Sequence, residues 1–152
     1  MDISIIIFLL GGLFLGWSLG ANDAANVFGT AVGTRMVRFK TAAIVCSIFV
    51  ILGAIISGAG TTETLGKLGA INALPGAFAA CVAAGISVYL MTKAGLPVST
   101  TQAIVGAIIG WNLYTGSATN IKVLITILGT WVLCPVIAGL IAMGFFTLTK
   151  NF

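Results

Sequence analysis

The chain has 152 residues, 59% hydrophobic and only 7% charged, with a mean hydropathy of +1.19. A soluble domain of this length cannot cover so much apolar surface with polar groups, so the composition excludes one and defines an all-α integral membrane protein. The net charge of +4 is the balance of three Asp and Glu against seven Lys and Arg residues, which sit singly or in one short cluster between apolar segments. Such charges set topology in membrane loops, and the absence of a basic stripe argues against a nucleic-acid partner.

The first apolar segment, Ile3 to Leu19, is long enough for one span. Asp2 stands where a cleaved signal peptide would carry Lys or Arg, so the segment is expected to be retained. Gly12, Gly16 and Gly20 recur at every fourth position, a spacing suited to close packing against another helix. An unbroken helix from Ile3 to Val37 would rise about 50 Å, against roughly 30 Å of hydrocarbon. A break is therefore predicted at Gly20 to Asp23, with Asp23 capping a second short helix, Ala24 to about Thr34.

Arg35, Arg38 and Lys40 mark a cytoplasmic loop. Thr41 to Ala59 is predicted as a second span, Gly60 to Ala73 as a connection, and Leu74 to Thr92 as a third span opened by Pro75. Pro97 then stops the chain, and Ser99, Thr100 and Thr101 form a helix N-cap signal. The helix that follows, to about Trp111, is short for a span. Tyr114 to Asn120 reads as a polar loop, and Ile121 to Thr149 as a final apolar stretch kinked at Pro135. The sum is about five transmembrane or re-entrant segments with broken helices, in one repeat domain covering 1–152. With five crossings the basic residues predict an external N-terminus in a multi-pass cell-membrane protein, and a second copy fused behind would be inverted.

Two polar stretches carry the chemistry. Asn22, Asp23 and Asn26 place a carboxylate and two carboxamides in a run otherwise as apolar as lipid, where an ionised group is costly and rarely idle. Ser99 to Gln102 supplies hydroxyls at a helix N-terminus, whose free N–H groups and dipole favour an anion. The bland alternatives are a surface cap for Asp23 and a simple cap for Ser99. Neither stretch contains Lys or Arg, so an anion beside ionised Asp23 would be repelled at low dielectric unless a cation joined it. A protonated oxyanion donating to Asp23 is the other relief. Cys46, Cys81 and Cys134 share no metal-ligand spacing, histidine is absent, and no nucleophile, base and oxyanion group converge, so no enzyme is predicted.

Gly20 to Thr30, reading GANDAANVFGT, resembles the signature of the PiT family of inorganic phosphate transporters. Leu96 to Thr101, followed by Ile104-Val105-Gly106, resembles that family's second motif. The motifs thus lie at 20–34 and 96–110, in the family's order, and the likeness covers nearly the whole chain but half of a usual member. The resemblance implies a cation-coupled symporter, commonly sodium-driven, built from two inverted halves with the site between them. It implies substrate contacts from Asp23, Asn26, Ser99, Thr100, Thr101 and Gln102, and sodium contacts from Asn22, Asp23 and Asn26. No cofactor is implied beyond the coupling ion. Many members carry His after the hydroxyl run, whereas Gln102 is a neutral donor and acceptor here, which keeps sulfate or a related oxyanion as the alternative substrate. The expected partners are phosphate or another tetrahedral oxyanion, membrane lipid, and a second half, in the same chain, a separate subunit or a homo-oligomer. The basic-residue bias argues against an antiparallel homodimer. A non-transporting structural half-subunit is the alternative from another class.

Overall fold

The computed structural model describes residues 3–69 and 74–150, and the last part of the predicted connection, 70–73, lies outside them. It contains five helices among the described residues: α1 (Ile3–Gly33), α2 (Phe39–Leu68), α3 (Leu74–Lys93), α4 (Thr100–Thr115) and α5 (Ile121–Lys150). Four of them, all but α4, are long and apolar enough to cross a membrane. At 16 residues, α4 rises only about 24 Å.

The chain forms two compact units. The first holds α1 to α4, and α3 is its centre, packing against α1 on one side and α4 on another. Small residues make this possible: Gly76, Ala80, Ala84 and Gly85 are all buried, so neighbouring helices approach closely. A Cβ on Gly85 would lie 2.7 Å from the Phe14 ring, and one on Gly76 would lie 2.9 Å from the Trp111 indole. Val88, Val105, Ile108 and Leu68 complete the core. The second unit is α5, with Pro135 inside it; Thr126, Thr130 and Thr147 there donate to carbonyls four residues back, which satisfies hydroxyls that lipid could not.

Three expectations are corrected. The predicted break at Gly20 to Asp23 is absent: α1 runs as one helix of 31 residues, and Asp23 lies in its interior rather than at a cap. Each helical glycine costs only about 1 kcal/mol, which does not break a continuous hydrogen-bond ladder, and a helix of about 46 Å matches the roughly 40–45 Å of hydrocarbon core plus headgroup regions. The predicted connection at 60–73 is helical as far as Leu68, and Thr62 and Thr64 within it return their hydroxyls to the carbonyls of Gly58 and Gly60. Among the described residues the glycines at 12, 16 and 20 do not pack against another helix, since a Cβ at each would meet nothing within 4 Å. The close contacts come from Gly11, Gly69, Gly76 and Gly85 instead.

The ends of α3 and α4 follow their sequence signals closely. Gly95, with φ of 71°, closes α3 in a Schellman turn, its N–H bonding to Thr92 O and that of Leu96 to Met91 O, both at 3.0 Å. Ser99 is the N-cap of α4, its hydroxyl oxygen accepting the Gln102 N–H at 3.3 Å. Gly116, with φ of 69°, ends α4 in the same way that Gly95 ends α3. The helix extends to Thr115, four residues past the expected end, and shortens the polar loop accordingly.

Candidate functional site

Of the residues singled out from sequence, Thr100 meets Asp23 where the α3–α4 connection touches α1, whereas among the described residues Ser99, Thr101 and Gln102 make no hydrogen bond to α1. Thr92, one residue before the end of α3, and Thr100, the first residue of α4, flank the connection. Each grips one residue of the α1 polar patch. Asn22 donates through Nδ2 to Thr92 Oγ1 at 2.9 Å, and Thr100 donates through Oγ1 to Asp23 Oδ2 at 3.0 Å. Asn26, one turn on, donates to Asn22 Oδ1 at 3.1 Å. Asn22 and Thr100 are buried, Asp23 and Thr92 are half-buried, and Asn26 is exposed.

This geometry divides the labour. The single hydroxyl proton of Thr100 is committed to Asp23, so Thr100 holds the carboxylate in place. Ser99 uses its oxygen as acceptor for the cap, which leaves its hydroxyl proton free to donate outward. The first helical bond of α4 is Ala103 N–H to Ser99 O, so the backbone N–H groups of Thr100 and Thr101 precede the ladder and point out of the helix end. Thr101 and Gln102 are exposed. The site therefore sets an acidic and carboxamide patch on α1 beside an N-terminus with donors on α4. Among the described residues α4 alone supplies such an N-terminus at this site, because α1 is continuous here.

Among the described residues no Lys or Arg forms an ion pair with Asp23; the one pair found is Glu63–Lys67 on the exposed face of α2. Lys93, the basic residue nearest in sequence to the α4 motif, lies over the Tyr89 ring, 5.5 Å from its centroid. Among the described residues no cluster of three His, Cys, Asp or Glu side chains could hold a metal.

Sequence reasoning missed Thr92. Its hydroxyl donates to Val88 O at 2.7 Å, which from sequence looks like an ordinary back-bonded threonine at the end of a span. It also missed Asn112, fully buried near the end of α4, where it donates to Thr119 Oγ1 at 3.0 Å and packs on Gly69. A groove of about 660 Å³ between α1 and α2 lies on the opposite side of α1. It is lined by residues such as Ala21, Ala25, Phe28 and Cys46 and includes none of the polar patch.

A bundle of membrane-spanning helices that holds a carboxylate in an internal polar patch, facing a short helix's N-terminus, has the architecture of a membrane transporter. The profile of the Phosphate transporter family matches residues 19–152. A Thermococcus kodakarensis protein named as a phosphate permease is 35% identical over 99% of this chain and 40% of its own length. A protein of Plasmodium falciparum named "Sodium-dependent phosphate transporter" is 34% identical over 90% of this chain and 22% of its own. A solved structure described as "The sodium-dependent phosphate transporter" superposes with a TM-score of 0.83 at 35% identity, covering 97% of this chain and 39% of that one. The chain belongs to the phosphate transporter family, a family of multi-pass membrane transporters and not of enzymes. It spans about two fifths of the length of the first of these relatives and of the solved transporter.

Proposed function

We propose that this chain forms one half of a symporter that moves inorganic phosphate through the cytoplasmic membrane together with a cation, sodium in the first instance. The observation that carries the reading is the bond from Thr100 to Asp23, which joins the two family motifs across 77 residues into one polar site. In it the oxyanion is bound at the α4 N-terminus by the Ser99 hydroxyl and the Thr100 and Thr101 N–H groups, with Thr101 and Gln102 side chains at its edge. Sodium is bound by oxygens of Asp23 and Asn26, with Asn22 behind them. The role of the cation is electrostatic, since it neutralises Asp23 while the anion is close and no basic side chain does so.

The names of the relatives and of the solved transporter support phosphate over sulfate, and two of them support sodium. A second, inverted half completes the site, in keeping with the fraction of each relative that this chain covers. The N-terminus is placed outside. Whether α4 crosses or re-enters, Arg35, Arg38, Lys40 and Lys93 fall on the cytoplasmic side with one further lysine, against two lysines outside.

The test is uptake of labelled phosphate by proteoliposomes containing the complete transporter, with an inward gradient of sodium or of choline. Sodium-driven uptake that excess phosphate blocks and excess sulfate leaves intact is the expected result. Uptake indifferent to sodium would overturn the coupling, and preferential block by sulfate the choice of substrate.

A further inference from the structure

We propose that Thr92 is a positioning residue: it fixes the direction of a two-carboxamide chain so that Asn26 turns a carbonyl oxygen, and not an NH2 group, toward the space beside Asp23. The inference rests on the sodium-coupled reading above and deepens it. Its starting point is the 2.7 Å contact between Thr92 Oγ1 and Val88 O. A carbonyl oxygen has no proton, so at that distance the hydroxyl proton lies between the two oxygens. Thr92 then offers its neighbours lone pairs alone.

The consequence runs along the chain. The group of Asn22 that lies 2.9 Å from Thr92 Oγ1 must be its NH2, because its carbonyl oxygen would meet another oxygen with no proton between them. Asn22 Oδ1 therefore faces the other way, and there it receives the NH2 of Asn26 at 3.1 Å. With that NH2 turned back toward Asn22, the opposite side of the Asn26 amide is its carbonyl oxygen. Asp23 and Asn26 are three residues apart on α1 and share a face. The pair presents a carboxylate and a carbonyl oxygen, the hard donors that a small cation requires. The reverse polarity would present an NH2 group beside Asp23, which repels a cation. Asn22, almost fully buried, relays the direction.

The experiment uses the complete transporter in proteoliposomes and compares wild type with Thr92→Val, which keeps the shape and removes the hydroxyl, and with Thr92→Ser, which keeps the hydroxyl. The sodium concentration for half-maximal uptake should rise about tenfold in Thr92→Val, the scale of one orienting hydrogen bond. The phosphate KM at saturating sodium and the maximal rate should stay within about twofold, and Thr92→Ser should return the sodium response to that of wild type. If Thr92→Val fails to insert, Thr92→Ala carries the same expectation. An unchanged sodium response, or a parallel loss of sodium response, phosphate KM and rate that Thr92→Ser shares, overturns the relay while leaving the coupled-transport reading in place. A wild type without sodium dependence is visible before any substitution and overturns that reading, and the cation-facing pair with it.

Discussion

The hydroxyl of Thr100 donates to the carboxylate of Asp23 at 3.0 Å, so the first residue of α4 is tied to the middle of α1. A hydrogen bond to a charged group is worth about 1.5–3 kcal/mol, and the bond also decides where the carboxylate points. Asp23→Asn should abolish sodium-driven phosphate uptake while membrane insertion is unchanged, because the charge that binds the cation is gone. Thr100→Val should lower uptake at limiting sodium by roughly 10- to 100-fold, the same energy expressed as a rate. In a double-mutant cycle of Asp23→Ala with Thr100→Val, read by the midpoint of thermal unfolding in detergent, the two losses should not add, since either change breaks the same contact. Wild-type uptake by Asp23→Asn would reduce Asp23 to a structural residue.

The scaffold beneath the site depends on close approach of α1 and α3. A Cβ at position 85 would meet Phe14 Cδ1 and Cε1 at 2.7 Å, with Leu15 Cα at 3.5 Å behind them. Phe14 cannot swing freely, because its ring stacks on Trp17, which in turn lies 5.7 Å from Tyr89. Gly85→Ala is expected to cost about 1–3 kcal/mol by overpacking, read as a lower midpoint of thermal unfolding in detergent. Adding Phe14→Leu should recover part of that loss. An unshifted midpoint in the single variant would mean that the helices separate at little cost.

A different backbone requirement sets the α3–α4 connection. Gly95 adopts φ of 71°, where a Cβ is strained by about 1–2 kcal/mol, and it closes the turn that separates Thr92 from Ser99. No atom would obstruct an added Cβ there, so the strain is conformational. Gly95→Ala should therefore lower stability by that amount, read as a lower unfolding midpoint, and Gly95→Asn, which tolerates this region better, by less. Equal midpoints for the two variants would contradict the conformational origin.

Much of this architecture is legible in the sequence, and its limits have a physical cause. Ser99 as a cap, Pro75 at the start of α3 and the membrane class are local signals, and each is found where the residues place it. The break expected at Gly20 to Asp23 is a different kind of inference. It assumes that a helix rising about 50 Å must break to fit a core of roughly 30 Å, yet α1 stays whole and the partners of Asn22 and Asp23 are side chains 70 and 77 residues away. Helix length alone cannot reveal such partners. Thr92 was hidden for the same reason, since its bond to Val88 is local and its bond to Asn22 is not. The glycine repeat at 12, 16 and 20 is the reverse case, a local pattern that meets no atom within 4 Å among the described residues.

The N-terminus of α4 allows cap and ligand chemistry to be separated. Ser99 caps the helix through its oxygen, and the same position faces the space assigned to the oxyanion. Ser99→Ala should cost about 1 kcal/mol of stability and weaken phosphate binding by loss of a donor. Ser99→Asp should behave oppositely in the two measurements. Aspartate caps helices as well as serine and suits the positive end of the dipole, so the unfolding midpoint should match or exceed wild type. Its charge would stand where the phosphate must sit, and repulsion at low dielectric should suppress uptake at every phosphate concentration that can be reached. A stable Ser99→Asp protein that transports phosphate normally would show that Ser99 is a cap alone, and would move the anion away from the end of α4.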